Sequence, residues 1–204
     1  MKLYSKPGAC STADHIALQW TGGSFEVELL KTREALKSPE FLAINPAGSV
    51  PALVDGDFVL TQNAAILGYI ADSFPEAGLA GDGSPRQRAE AARWLAFANS
   101  DLHPAFKPLF APARFIADES QHEALKEAAR QQVLALFAQA DRRLADHDWL
   151  AGFRSFADPY LYVTMRWAAG LGLDLSALTH LNAFKQRMEA DAGVQAALKA
   201  EGLV

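Results

Sequence analysis

The sequence lacks several features that would assign it to a class at once. It contains a single cysteine, Cys10, so neither an internal disulfide nor a cysteine-rich zinc site can form. No apolar run reaches the ~18 residues of a membrane span, and residues 1–7 show no secretory signal. Basic residues number 19 against 24 acidic ones, which argues against a nucleic-acid partner. We therefore expect a soluble, cytoplasmic protein with one thiol.

Residues 1–74 combine strand-like and helix-like segments. Strands are predicted at residues 2–5 and 25–29, and two more flank the Asp-Gly turn at residues 55–57. One helix follows the first strand over residues 11–22, and another precedes Pro75. The order β-α-β-(α)-β-β-α predicts that the first two strands pair in parallel through a right-handed crossover.

The rest of the chain has a helical pattern. Residues 75–85 are rich in glycine, proline and acid and are predicted to be a linker. Capping serines and apolar spacing predict the helices that follow, which begin at Ser84, Ser120 and Ser155 and cover 181–188 and 194–198. Pro104 and Pro108 are expected to bend the first of them. We predict an α/β domain over 1–78 and an all-helical domain over 84–204.

The lone thiol of Cys10 lies between a glycine-containing turn and a predicted helix start. Free backbone N–H groups and the partial positive charge of a helix N-terminus favour a thiolate. Free cysteines are also common as small, unreactive, partly buried residues. The chain has no Cys-x-x-Cys pair, so redox work by Cys10 would need a second thiol from elsewhere, such as a thiol cofactor.

Two further side chains are open to two interpretations each. Ser11 can be a simple helix cap, or it can aim its hydroxyl at an anion above the helix start. His103 lies among apolar residues and can be a packing histidine or part of a site. The other four histidines are scattered along the chain, so we expect no metal site.

Two short segments could contact a ligand through the backbone. The Val50-Pro51 step can be an ordinary start of a strand, or a cis bond that exposes the Val50 backbone to a peptide-like ligand. Gln62 and Asn63 precede a predicted helix, where they can act as caps or hold a ligand carboxylate.

These pieces together resemble a cytosolic glutathione transferase, most closely of the bacterial beta class. The segments that carry the resemblance are Lys6-Pro7-Gly8-Ala9-Cys10-Ser11, Asn45-Pro46-Ala47-Gly48-Ser49-Val50-Pro51, Thr61-Gln62-Asn63, His103-Pro104 and Ser155-Phe156-Ala157-Asp158. The resemblance extends over essentially the whole chain. It implies a thioredoxin-like glutathione-binding domain, then a C-terminal helical bundle domain with the second-substrate pocket, in a homodimer.

The resemblance also implies how glutathione is bound as co-substrate. Val50, before a cis Pro51, would pair its backbone with the cysteinyl part of glutathione. Gln62 and Asn63 would hold the γ-glutamyl end. The usual acid at the first of these positions is absent, and Asp101 of a partner subunit would offset the lost charge.

Roles in catalysis follow from the same resemblance. Cys10 would lie near the glutathione sulfur and form a mixed disulfide with it, while Ser11 and His103 would donate hydrogen bonds there. Lys6 is a weaker candidate for contacting the glycine carboxylate. The second-substrate pocket would be formed by Phe106, Leu109, Phe110 and Trp167.

Two departures from the beta-class pattern affect this site. Pro104 stands where a lysine usually follows the histidine, which removes a cation. Asp14 replaces a common proline about one turn from Cys10, where its charge would disfavour a thiolate.

The predicted activity is conjugation of the glutathione thiolate to small hydrophobic electrophiles, a detoxification reaction, with thiol–disulfide exchange through Cys10 as a second mode. The alternatives are a glutathione-dependent isomerase or dehalogenase, and a non-catalytic binder of apolar ligands.

Overall fold

The computed structural model describes all residues from Met1 to Val204. Its sheet has four strands, in the spatial order β2-β1-β3-β4, namely β1 (Lys2–Ser5), β2 (Glu26–Leu29), β3 (Ala52–Asp55) and β4 (Phe58–Thr61). β1 and β2 are parallel, with Leu3 opposite Val27, as the sequence predicts. β3 is antiparallel to both β1 and β4, so β4 is an edge strand.

Three helices complete this half of the chain: α1 (Thr12–Thr21), α2 (Pro39–Ile44) and α3 (Asn63–Ser73). α1 connects the two parallel strands and ends at Gly22, whose φ of 68° is left-handed and favours glycine. α3 follows β4 directly, because its first residue comes two positions after the strand ends. The first turns of α1 and α3 pack together at the end of the sheet.

The remaining helices form the second half. They are α4 (Pro85–Ala96), α5 (His103–Phe110), α6 (His122–Leu144), α7 (Asp158–Gly170), α8 (Thr179–Ala190) and α9 (Ala192–Glu201). No helix in the structure combines the length and the apolar character that crossing a membrane requires.

The junction between α4 and α5 differs from the expected bend at Pro104 and Pro108. A π-helical segment, Phe97–Leu102, separates the two helices. Pro104 has no backbone N–H, so it cannot donate to the carbonyl of Ser100 four residues earlier, and the helical hydrogen bonding changes here. His103 consequently begins a new helix.

The predicted helix caps have mixed outcomes. Ser84 caps α4 as predicted, because its hydroxyl accepts from the N–H of Gln87 at 3.3 Å, but the reciprocal bond is absent, since Gln87 Oε1 accepts from the N–H of Asp82 at 2.8 Å. The pairing at Ser155 is confirmed, because Asp158 accepts from the N–H of Ser155 at 2.7 Å. The predicted helix cap at Ser120 is wrong. Asp118 supplies the acceptor, at 3.0 Å from the Ser120 N–H, because a short 3₁₀ turn precedes α6.

One hydrophobic core is continuous through both halves. It includes Leu3 of the sheet, Ile16 of α1 and Phe106 of α5, and α1 packs directly against α7 and α9. The change from mixed to all-helical structure falls between α3 and α4, and the bounds 1–78 and 84–204 stay a prediction. The shared core fixes the loop between β1 and α1, which carries Cys10, against the helical half.

Candidate active site

Two depressions meet at Cys10 and His103. The first, which we call the polar cleft, has a volume of about 290 Å³ and is lined among others by Cys10, Val50, Pro51, Gln62, Asn63, Asn99, His103, Lys107 and Tyr160. The second, which we call the aromatic cleft, has a volume of about 370 Å³ and is lined among others by Lys6, Cys10, His103, Phe110 and Trp167. The part of a molecule that lies near Cys10 and His103 in the polar cleft would therefore be next to the aromatic cleft.

The loop before β3 brings the Val50 backbone to the thiol. The Val50-Pro51 bond is cis, as expected. Asn45 braces this loop, because its amide donates to Ser49 O at 2.6 Å and its side-chain oxygen accepts from the N–H of Ala47 at 3.1 Å. The sulfur of Cys10 lies 3.8 Å from Val50 O, within reach of a weak S–H hydrogen bond.

The thiol of Cys10 is protonated in the free protein. Burial, followed by the nearby carboxyl of Asp14, raises its pKa to about 12, and the effect of Asp14 is the one that the sequence predicts. Backbone N–H groups at the start of α1 act in the opposite direction but are outweighed. The favourable effect of the helix start is therefore present, but the burial of the sulfur decides in favour of the unreactive, protonated thiol.

Asp14 is fully buried and incompletely paired. Its Oδ2 accepts from Nδ2 of Asn63 at 2.7 Å, whereas its Oδ1 has no hydrogen-bond partner. Burial, followed by the charge of Glu201, raises the pKa of Asp14 well above its usual range. The Asn63 amide also donates to Cys10 O at 2.9 Å. The Asn63 side chain thus connects α3 to α1, which leaves its backbone N–H and its side-chain oxygen for a ligand.

Gln62 has an unusual backbone conformation at the mouth of the polar cleft. Its φ is 76°, and it is the only residue other than glycine with a positive φ. Such strain persists where the surrounding structure requires it, often at ligand-binding positions. Immediately after Gln62, α3 begins, and its first N–H groups have no partner within the helix.

Ser11 lies elsewhere than the sequence suggested. Its hydroxyl is fully buried, accepts from the Lys6 N–H at 3.1 Å and pairs with Ser5 Oγ at 2.9 Å. It lines neither cleft, and it makes no capping hydrogen bond to α1. The Ser11 side chain therefore fixes the turn before Cys10 from inside and does not donate into the site.

Glu201, at the end of α9, was not identified from the sequence. Its carboxyl receives the hydroxyls of Ser5 and Thr12 at 3.1 and 2.7 Å, the N–H of Gly8 at 3.2 Å, and Nδ1 of His15 at 3.0 Å. These hydrogen bonds connect the loop between β1 and α1, which carries Cys10 and which we call the Cys10 loop, to the last helix. No local pattern signals this role, since the partners are more than 180 residues away.

His103 faces both clefts. Its Nδ1 lies 2.6 Å from the hydroxyl of Tyr160, and its ring centre lies 4.8 Å from that of Trp167. Burial, followed by the charge of Lys107, lowers the pKa of His103 to about 4, so the imidazole is neutral near pH 7.

Lys107 is a second residue that the sequence interpretation missed. It lines the polar cleft one turn after His103 and supplies a cation on the face where Pro104 lacks one. The spacing of four residues along a helix is the signal that could have identified it.

The residues predicted for the second-substrate pocket do not all line the aromatic cleft. Phe110 and Trp167 line the aromatic cleft, and Phe110 is 50% exposed. Phe106 and Leu109 do not line it, because they are buried in the core. Phe106 supports the pocket from behind, with ring centres 5.8 Å from Phe110 and 5.5 Å from Trp167. Lys6 lines the aromatic cleft and does not line the polar one.

Asp101 lies outside both clefts. It is exposed and borders a separate depression with Trp94 and Phe97. Within one chain, therefore, Asp101 does not reach the polar cleft.

Comparison with known proteins gives a consistent result. Residues 1–72 match the family described as glutathione S-transferase, N-terminal domain, and residues 98–192 match its C-terminal domain. The curated glutathione S-transferase GST-4.5 of Xanthomonas campestris is 53% identical over 204 residues, covering 100% of both chains.

Solved structures agree over the same length. A glutathione S-transferase from Xylella fastidiosa superimposes with a TM-score of 0.95 at 55% identity, covering 100% of this chain and 99% of the other. A sphingomonad enzyme complexed with glutathione gives 0.87 at 42%, and a beta-class enzyme of Sphingomonas chungbukensis gives 0.86 at 41%, each covering 100% of both chains. The thioredoxin-like sheet domain followed by a helical domain is thus the shared architecture.

Proposed function

The chain belongs to the glutathione S-transferase family, and from this premise we propose that it joins the glutathione thiol to small hydrophobic electrophiles held in the aromatic cleft. One observation carries the proposal. The Cys10 sulfur, the Val50 backbone, the start of α3 and the His103 ring all line one polar cleft, which opens onto an aromatic one.

The polar cleft offers complementary groups along the length of a tripeptide. The Val50 backbone can pair with the cysteinyl residue as an added strand. The free N–H groups at the start of α3, beside Gln62 and Asn63, suit the γ-glutamyl carboxylate. Lys107 adds a cation to the same cleft. The sphingomonad relative, solved with glutathione, supports this assignment.

Pairing with Val50 would bring the glutathione sulfur beside Cys10 and His103. Because Cys10 stays protonated, the nucleophile in conjugation is the glutathione sulfur, and the Cys10 S–H is a hydrogen-bond donor to it. The sulfur attacks the electrophilic carbon, the new S–C bond forms, and the leaving group departs with its electron pair. In the second mode, thiol–disulfide exchange, the sulfur of Cys10 attacks a disulfide that contains glutathione. A mixed disulfide forms as the S–S bond of that substrate breaks, and the other half leaves as a thiolate.

We further propose that the enzyme works as a cytoplasmic homodimer in detoxification. Phe58 and Val59 are 46% and 44% exposed on the edge strand β4, where a second subunit would cover them. Asp101 would then reach the γ-glutamyl end of its partner's glutathione. Light scattering at micromolar concentration tests this, and a monomer would overturn the role of Asp101.

Steady-state conjugation of glutathione to 1-chloro-2,4-dinitrobenzene, with calorimetric titration of glutathione, tests the activity. We expect binding and turnover, with the Cys10→Ala variant retaining conjugation and losing disulfide exchange. Binding without turnover of electrophiles, peroxides or disulfides would favour an apolar-ligand binder. Turnover restricted to isomerisation or dehalogenation would favour those alternatives, and absence of binding would overturn the proposal.

A further inference from the structure

The His103 ring is held by one nitrogen and leaves the other free. Nδ1 is bonded to the Tyr160 hydroxyl at 2.6 Å, and the ring is flanked edge-on by Tyr160 and Trp167. Nε2 makes no hydrogen bond within the protein, and it is not among the buried unpartnered atoms. Since His103 lines both clefts, Nε2 is the nitrogen that is accessible to a ligand.

The protons around Tyr160 can be counted. Its hydroxyl lies 3.3 Å from Oδ1 of Asn99, a carbonyl oxygen that only accepts hydrogen bonds. The amide nitrogen of Asn99 is directed to Ser100 Oγ at 3.4 Å, which leaves Oδ1 facing Tyr160. Burial raises the pKa of Tyr160, so its hydroxyl keeps its proton. That single proton is donated to Asn99.

The direction of the short contact between Tyr160 and His103 follows from the bond that Tyr160 donates to Asn99. With the Tyr160 proton used on Asn99, the Tyr160 oxygen accepts, and Nδ1 of His103 must carry the hydrogen. A neutral imidazole carries only one N–H, so Nε2 is an unprotonated acceptor. The pKa of about 4 keeps the ring neutral near pH 7.

We propose that Tyr160 and Asn99 are positioning residues that hold His103 in the tautomer with its proton on Nδ1, so that Nε2 accepts the proton of a substrate thiol. The inference rests on the proposed function, in which the glutathione thiol enters the polar cleft. Nε2 accepts the S–H proton while the sulfur attacks, so the imidazolium, which the low pKa of His103 makes a strong acid, forms only together with the S–C bond. After the S–C bond forms and the leaving group departs, Nε2 releases the proton to solvent.

Nuclear magnetic resonance on protein with ¹⁵N-labelled histidine tests the tautomer without any substrate. The His103→Gln variant identifies the His103 signals. At pH 7.5 we expect a protonated Nδ1 and an unprotonated Nε2. The Asn99→Leu variant removes the acceptor, so Tyr160 should then donate to Nδ1 and the tautomer should reverse. A protonated Nε2 in the unmodified protein, or no reversal in the variant, would overturn the proposal.

Kinetics test the consequence. General acid–base catalysis contributes roughly 10²–10⁴-fold, and we expect Tyr160→Phe to lose about tenfold of this in kcat, with the KM for glutathione changed less than twofold. Tyr162→Phe is the matched control, because its hydroxyl lies in the same helix and pairs with Arg166 instead. In the His103→Gln background, Tyr160→Phe should have no further effect.

An equal loss in the two backgrounds, or an equal loss in Tyr162→Phe, would show a purely structural role for Tyr160. If the unmodified enzyme does not conjugate glutathione, the proposed function fails, while the resonance experiment still decides the tautomer.

Discussion

Two buried carboxyl groups, that of Asp14 in α1 and that of Glu201 in α9, have opposite hydrogen-bonding surroundings. Glu201 is surrounded by four donors, from Ser5, Gly8, Thr12 and His15. Asp14 receives a single hydrogen bond, from Asn63, and has one bare oxygen.

A buried carboxyl is stable as an anion only when hydrogen bonds replace its lost hydration. Glu201 has four hydrogen bonds of this kind, which join the two halves of the chain. Asp14 has only one, and its raised pKa is the consequence. The incompletely paired group is the one beside Cys10, whereas the fully paired one supports the loop from behind. Glu201 therefore acts mainly on the stability of the fold, and Asp14 acts on the reactivity of Cys10.

The largest effect is expected from Glu201→Gln. The new amide turns an N–H₂ group toward donors that need an acceptor, so the free energy of unfolding should fall by about 3 kcal/mol. Urea denaturation measures it. Glu189→Gln is the control, since Glu189 forms an exposed pair with Lys185, and it should change stability by less than ~0.5 kcal/mol. Equal effects from the two variants would remove the distinction between Glu201 and a surface carboxylate.

Asp14→Asn should make Cys10 more reactive. Removing the carboxyl removes one of the two causes that raise the pKa of the thiol, so alkylation by iodoacetamide at pH 8.5 should become several-fold faster. Cys10 is the only cysteine, and the measured rate therefore reports on it alone. A rate that is unchanged would mean that burial by itself sets the pKa of Cys10.

The same variant should have a characteristic pH dependence of stability. The folded-state pKa of Asp14 lies above its unfolded value, so its contribution to stability is fully present at pH below ~4 and is lost as pH rises through the folded pKa. The free energy of unfolding of Asp14→Asn minus that of the unmodified protein should therefore increase from pH 4 upward. A difference that is constant with pH would contradict the raised pKa.

Ser11→Ala should separate structure from chemistry. The hydroxyl accepts from the Lys6 N–H in a buried place, so its loss should cost about 1–2 kcal/mol of unfolding free energy. Because Ser11 lines neither cleft, kcat at 15 °C, where the variant is folded, should stay within twofold. A larger fall in kcat would show that Ser11 takes part in catalysis.

The smallest effect is expected from Thr12→Val. This nearly isosteric change removes one of the four donors to Glu201 and should lower the unfolding free energy by about 1 kcal/mol. The rate of Cys10 alkylation should not change. An effect as large as that of Glu201→Gln would show that the four hydrogen bonds act as one unit.

Local patterns were sufficient for much of the fold and for part of the site. The alternation at residues 25–29, the Asp-Gly turn and the capping serines at 84 and 155 depend on nearby residues, and the structure has them as predicted. The opposing effect of Asp14 on Cys10 was also predictable, because Asp14 lies about one turn after Cys10, at the start of α1.

The predictions that failed concern side chains whose positions depend on contacts between distant segments. Ser11 precedes a helix, where a serine usually caps, but Ser5 and the Lys6 backbone engage it from inside. Phe106 and Phe110 share one face of α5, and only the position of α6 and α7 decides which of them is buried. Sequence spacing alone contains neither fact.

The hydrogen bond between Glu201 and the turn at Gly8 cannot form until the end of the chain has been synthesised. The two residues are separated by 193 positions, so the turn emerges from the ribosome long before Glu201 does. At about 5–20 residues per second, the interval is on the order of 10 to 40 s. During that time β1 and α1 exist without the contact that fixes the Cys10 loop. The geometry around the thiol is therefore among the last parts of the molecule to form.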